Sequence, residues 1–356
     1  MKKLGVIVLV LLLFGLAFAG GCLGGGGKGN TSKTHSESSN LGSGSSTSGT
    51  EGSSEGSGGG TETTSFATWR SPWDAYNPVN LSGEKYYITY VRYTFTVKTP
   101  SGKHTYEVEK RRGYVKAHVY ANENGRKKDL GVFNLFAYYE KLTPINNPNM
   151  TAPFECLILV KERTNATDEH FLNPLPNFGA LGTGDSVVAE IRYGNNYFYW
   201  SNPPAIGQYS ESQYTEGSIE SVMKGFRDYG DYLAQEWVSI LGSGAWKGLK
   251  GHNLLRKDEY NFSFAGGKYH FKIKPDGTVT LDRKEFRVSN VEWSYSEMGI
   301  AMQGNATIAP ALPIPIETEG VFSSGSGGVY AYSRFKLEDI KLEKEFKGIN
   351  VSIEKP

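Results

Sequence analysis

Cysteine is nearly absent, with two in 356 residues, so no disulfide framework holds this chain. A surplus of either charge is also missing: 38 Lys and Arg stand against 37 Asp and Glu, a net of +1. A nucleic-acid partner would want a basic excess, so that class is set aside. Histidine is sparse, with six residues. No HExxH pattern occurs and no two histidines stand four apart, which removes the metalloprotease signature. Apolar residues are scarce too, at 38%. That shortage is local. Residues 1–65 hold 17 of the 44 glycines and only 18 apolar residues, 16 of them in the first 22 positions. Beyond residue 65, apolar residues and glycine together reach about 49%, an ordinary globular share.

What is present at the start reads as an address. Met1-Lys2-Lys3 is positively charged, Leu4 to Phe18 is an apolar run broken only by glycine, and Ala19-Gly20-Gly21 supplies small residues before Cys22. The run is short for a membrane span and fits a secretory signal peptide over 1–21. Ala19-Gly20-Gly21-Cys22 followed by Leu23-Gly24-Gly25 resembles the lipobox of surface lipoproteins, especially those of euryarchaeal hyperthermophiles. The resemblance implies cleavage before Cys22, a diacylglyceryl-type lipid on its sulfur, and a location on the outer side of the cell membrane. Ala19 departs from the Leu that bacterial lipoboxes usually carry, and the resemblance covers only about 25 residues. Each buried CH₂ adds about 0.8 kcal/mol of membrane affinity, and one chain anchors only marginally, hence two.

A tether is expected next. Residues 23–65 contain 32 Gly, Ser or Thr out of 43, with little to bury, so 22–65 is read as the lipidated Cys and a disordered linker. Its flexible span is roughly 35–40 Å. Gly24-x-Gly26-x-x-Gly29 and Gly52-x-Ser54-x-Gly56 match dinucleotide and nucleophile-elbow patterns. Both need a strand before and a helix after, and have neither.

The remaining domain, 66–356, reads as α+β and mainly antiparallel: about ten to twelve strands in a curved sheet or open half-barrel, with one long amphipathic helix on it. Tyr87, Val91, Tyr93, Phe95 and Val97 share a face. Pro100-Ser101-Gly102, Asn124-Gly125, Gly194-Asn195-Asn196 and Pro275-Asp276-Gly277 are expected turns. The facing of apolar residues flips between Tyr106/Val108 and Val115/Ala117/Val119, so a β-bulge is expected at Gly113. Cys156 to Val160 reads as a strand buried on both faces, and 131–142 is ambiguous between strand and helix. Ile349, Val351 and Ile353 suggest a last strand. Ile219, Val222, Met223, Phe226, Gly230, Leu233, Trp237 and Leu241 follow helical spacing, with Ser218 as cap, and Gly230 as a point of close approach to a strand. A half-barrel crossed by a helix resembles LolA-like lipid-handling lipoproteins at fold level, which implies a hydrophobic-ligand carrier; fold alone does not carry function.

No catalytic signature, cofactor or metal site emerges. His118 and His270 read as solvent-facing or paired strand residues. Cys156, in an apolar strand, reads as an inert hydrophobe. Two features rise above background. Asn80, Asn149, Asn165, Asn261, Asn305 and Asn350 all begin N-x-S/T, where composition predicts about two, and such sequons suit an exported chain. Aromatics make up 13% of the chain. They read as cross-strand packing or as a binding face, for which Tyr197, Tyr199, Trp200 and Trp237 are the candidates. The expected function is a membrane-anchored, non-enzymatic surface lipoprotein whose ectodomain binds a glycan, a lipid or another envelope protein. A lipid carrier and an extracellular hydrolase with a hidden site are the alternatives.

Overall fold

A computed structural model describes residues 69–70, 74–99, 102–124, 126–147, 150–169, 171–172, 185–207, 211–225, 227–228, 248–264, 267–297, 300–324 and 329–353. The expected signal peptide, Cys22 and the tether lie outside the described residues, as do Asn149, Gly230 and Trp237. The chain divides into two units, Met1–Glu62 and Thr63–Pro356, and the second carries everything below.

Its described strands form one open antiparallel sheet built from two meanders. The first runs through β2 (Glu84–Thr99), β3 (Gly102–Glu123), β4 (Arg126–Asn146), β5 (Phe154–Val160), β6 (Ser186–Tyr193), β7 (Asn196–Ser201) and β8 (Ser212–Glu216). The second runs through β9 (Asp258–Phe264), β10 (Gly267–Leu281), β11 (Lys284–Glu297), β12 (Ile300–Ile308), β13 (Glu317–Ser324) and β14 (Val329–Glu343). A short β1 (Val79–Leu81) pairs with β2. Strand β14 pairs with β2, which fuses the meanders and leaves β8 and β9 at the outer edges.

Turn chemistry sets most of the register. Strand β2 ends at Thr99 opposite Gly102, β3 and β4 meet across Asn124-Gly125, and β6 and β7 meet across Gly194-Asn195. Asn124 and Gly194 take positive φ, which hairpin turns require. The ambiguous 131–142 segment is strand. The turn expected at Pro275-Asp276-Gly277 is not one. Strand β10 continues through it with a register shift between Pro275 and Thr278, and the hairpin closes at Asp282-Arg283, both with positive φ. Strand β9 stops bordering β10 at Ile273, so the missing N–H of Pro275 faces no strand on that side.

One apolar face runs across the whole sheet, through Tyr193, Phe154, Leu142, Val108, Tyr93, Phe95, Phe335, Ala306, Val291 and Ile273. The β8–β9 connection packs on it at both ends. Ser218 caps a helix that begins at 219, with Ser221 N–H donating to its Oγ at 3.3 Å. Val222 is buried, and Gly225 lies so close to the Tyr193 ring that a Cβ would stand 2.7 Å from it. A close helix–strand approach thus falls at Gly225, while the one expected at Gly230 lies outside the described residues. Residues 219–225 and 227–228 are helical, and the expected continuation to 241 lies outside the described residues. The other described helical residues are α1 (Asn165–Asp168), a 3-10 turn (Pro203–Ile206) and residues 248–249. No long helix is therefore seen among the described residues. At the far end Leu249 and Leu254 join Trp69 over Phe271, Ile273 and Trp293.

The opposite face is polar across β9–β14 but apolar across β3–β7, where Val115, Val119, Leu135, Leu157, Val187, Tyr197 and Tyr199 form a second core. Strand β5 is thus buried on both faces, as its continuous apolar run suggested. Two cores also explain the flip in β3. Gly113 pairs in regular register with Ala137, and the shifts fall at Thr105/Tyr106 and His118/Tyr120. No bulge sits at Gly113. Strand β2 leaves β3 after Arg111, and the C-terminal strap takes its place: Tyr114 N–H donates to Lys347 O (3.0 Å) and Ile349 N–H to Tyr114 O (2.8 Å). A Cβ on Gly113 would stand 2.7 Å from Ile349 Cγ2 and 2.8 Å from Lys347 O. Residues 349–353 are not a strand; they lie over the second core, with a single parallel bridge at Gly348.

Candidate functional site

The aromatic candidates on β7 divide between the faces. Tyr197 and Tyr199 are 0% and 2% exposed, inside the second core under the 3-10 turn and the strap. Tyr199 stacks on Tyr214 at 5.0 Å, its hydroxyl accepts from Tyr120 N–H at 3.2 Å, and burial pushes its pKa up to about 12. These two rings are packing, not an open binding face. Trp200 points the other way, half-buried, and its indole N–H donates to Glu211.

A cluster that sequence reasoning missed lies beside β3. Arg112, Asp168, Lys110 and Glu140 are all buried. Arg112 Nη1 is 2.9 Å from Asp168 Oδ1, and Arg112 Nε donates to Ile88 O at 2.7 Å. Arg163 pairs with the other oxygen of Asp168. The Tyr138 hydroxyl lies 2.7 Å from Asp168 Oδ1. Burial pulls the Arg112 pKa down and Asp168 opposes it; burial, then Asp168, pushes the Tyr138 phenol far up. Thr164 and Thr167 form a reciprocal capping box that fixes the short helix bearing Asp168. Nothing marked Asp168 as the partner of Arg112, 56 positions away. The one legible hint was charge at Lys110 and Arg112, which continue the strand parity of the apolar Tyr106 and Val108.

Arg163 also reaches the surface. Its guanidinium lies over Tyr76 (4.2 Å), Phe346 (4.7 Å) and Tyr87 (5.2 Å). Beside it opens a groove of ≈ 620 Å³ lined by Tyr87, Tyr114, Phe346, Lys161 and Lys344. Glu162 and Glu345 complete the lining. Tyr87 and Phe346 pack at 4.8 Å, and Tyr114 is 42% exposed. A second groove of ≈ 490 Å³ crosses the polar face of β9–β14 past Glu259, His270, Lys272, Glu292, Asn305 and Glu319.

His118 is exposed and 3.0 Å from Asp129 Oδ2; His270 is paired with Asn261 at 3.1 Å. Among the described residues no three His, Cys, Asp or Glu side chains gather as a metal site. Cys156 is buried, and burial, reinforced by Glu140, pushes its thiol well up, the opposite of an activated nucleophile. Asn80, Asn165, Asn261, Asn305 and Asn350 are all exposed. No described helix is long and apolar enough to cross a membrane.

No family model matches the chain, and no curated protein matches it. Among solved structures it is matched with an exported protein of YmcC-like fold from Bacteroides fragilis, at 11% identity, TM-score 0.19, covering 77% of this chain and 99% of that one. A DUF1329 family protein from Desulfovibrio piger matches at 4% identity and TM-score 0.17, covering 71% and 85%. A domain provisionally described as an outer membrane lipoprotein-sorting protein, from Vibrio parahaemolyticus, matches at 7% identity and TM-score 0.14, covering 73% and 87%. Scores this low carry no argument about fold or function.

Proposed function

We propose that this chain is a lipid-anchored surface protein whose β-domain binds a saccharide, without turnover, in the groove beside Arg163. The observation that carries the reading is the lining of that groove: three aromatic rings, one of them 42% exposed, rimmed by charged groups of both signs. Aromatic faces suit the apolar faces of sugar rings, and a charged rim supplies donors and acceptors for hydroxyls. An acyl chain would desolvate the charges of Lys161, Glu162 and Glu345 without offering them a partner, which disfavours a lipid cargo there. The anchoring half of the proposal rests on Cys22 and the segment before it.

The full-length protein in detergent, titrated calorimetrically with a panel of neutral and acidic oligosaccharides, tests the binding half. Tyr114→Ala is expected to weaken the best ligand about tenfold, roughly 1.4 kcal/mol, with the melting temperature lowered by only a few degrees through loss of the edge-on contact with Phe136. No binding by any member, equal affinity in the variant, or release of a shortened sugar would sink the proposal.

A further inference from the structure

All five described sequon asparagines are exposed, whereas the ten other asparagines with described side chains divide evenly between exposed and half-buried. Two of the five, Asn261 on edge strand β9 and Asn305 on β12, point to the same polar face. Asn261 sits in register with His270, and Asn305 pairs with Glu292 on one side and Glu319 on the other. Asn305 is itself part of the ≈ 490 Å³ groove. His270 Nδ1 lies 3.1 Å from Asn261 Oδ1, which engages the amide oxygen and not the nitrogen that would bear a sugar.

We propose that Asn261 and Asn305 carry N-linked glycans and that the polar groove of the second meander is the bed in which the Asn305 glycan lies. The groove's lining fits that occupant: Lys272, Glu292, Gln303, Glu319 and Tyr332 offer donors and acceptors across an open hollow, with Trp293 beneath the Gly304–Gly320 pair. The transfer joins Asn305 Nδ2 to the anomeric carbon of a polyisoprenyl-phosphate-linked oligosaccharide. The N–C bond forms, the C–O bond to phosphate breaks, the polyisoprenyl phosphate leaves with the electron pair, and the amide gives up one proton. Strand β12 is hydrogen-bonded on both sides, so an enzyme that must grip the sequon's backbone acts before the sheet forms. The inference rests on the export assumed in the proposed function, since the transfer occurs outside the cell.

The test uses protein purified from its own membranes, the same chain made in a host without N-glycosylation, and Asn305→Gln from the original host. Peptide mass spectrometry is expected to show the Asn261 and Asn305 peptides heavier by a glycan in the native protein. Lys272 stands two strands from Asn305, about 10 Å, in one cross-strand row. Its acylation by an amine-reactive ester is expected to be at least threefold slower in the native glycoprotein than in the unglycosylated chain, and restored in Asn305→Gln. An unmodified Asn305 peptide in the native protein overturns the site. Equal Lys272 rates with the glycan present overturn the bed. The mass of the Cys22 peptide reports the anchor separately, so failure there leaves the glycan result distinguishable.

Discussion

Asp168→Asn is the perturbation that the architecture makes most costly. The carboxylate lies between two guanidiniums, Arg112 at 2.9 Å and Arg163 on its other oxygen, with the Tyr138 hydroxyl at 2.7 Å. Asp168 is 0% exposed and Arg112 1%. Replacing the carboxylate by an amide keeps the volume and removes the only charge joining the two arginines in this cluster, so two cations face each other across a neutral group. Opposite charges about 4 Å apart interact by roughly 4 kcal/mol at an effective dielectric near 20. Breaking one side of a buried pair costs about 3–5 kcal/mol in measured cases, and the two figures agree. Against a total stability of roughly 5–15 kcal/mol that is a large share. A domain of this size loses about 2–4 °C of melting temperature per kcal/mol, so calorimetry is expected to show a fall of about 6–20 °C. Asp129→Asn, an exposed carboxylate beside His118, is the control and is expected to leave the melting point in place. A fall below 2 °C for Asp168→Asn would show that the arginines find water or other partners, and the cluster would then not be the internal tie described. The apolar double replacement Arg112→Met with Asp168→Leu is expected to recover only part of the loss, because the desolvation of that pair disappears while Arg163 still loses its carboxylate.

Two further outcomes are expected, one from the packing of the strap and one from the N-terminal sequence. Gly113→Ala forces a Cβ against Ile349 Cγ2 and the Lys347 carbonyl, at a cost of about 1–3 kcal/mol, and is expected to lower the melting point and expose the strap to carboxypeptidase; an unchanged digestion pattern would refute close docking of the strap. Cys22→Ser is expected to release the protein from membranes into the medium or leave it unprocessed, and unchanged membrane retention and size would refute lipid anchoring.

Sequence patterns revealed the local parts of this fold and concealed the long-range ones, for a physical reason. Turns at 100–102, 124–125 and 194–195 were legible because Gly102, Asn124 and Gly194 take positive φ, which Gly and Asn adopt most readily, whereas the Asp282-Arg283 turn takes positive φ without either and left no such mark. Strand β5 was legible because burial on two faces removes alternation altogether. The same effect hid β4: Leu135 to Tyr139 is apolar on both faces, so neither period shows. Pro275-Asp276-Gly277 misled because a proline tolerated past the end of a neighbouring strand looks, in sequence, like a proline in a turn.

The candidate site was harder to read because it is made of residues that break local rules. Lys110 and Arg112 occupy core positions of β3, and each is tolerable only through a carboxylate placed by tertiary structure: Glu140 on β4, 3.5 Å from Lys110, and Asp168 on a four-residue helix. Phe346 then lies over both Arg112 and Arg163, which ties the C-terminal strap to the cluster and forms one wall of the groove. The strap therefore does two things at once: through Ile349 and Val351 it covers the second core, and through Phe346 it shapes the surface beside Arg163. The aromatic run at 197–200 drew attention in sequence because its rings are contiguous, yet contiguous strand residues face opposite ways and cannot form one platform. The rings that do share a surface, Tyr87, Tyr114 and Phe346, come from β2, β3 and the strap. Only the pairing of β2 with β14, and of the strap with the part of β3 that β2 leaves free, brings them together.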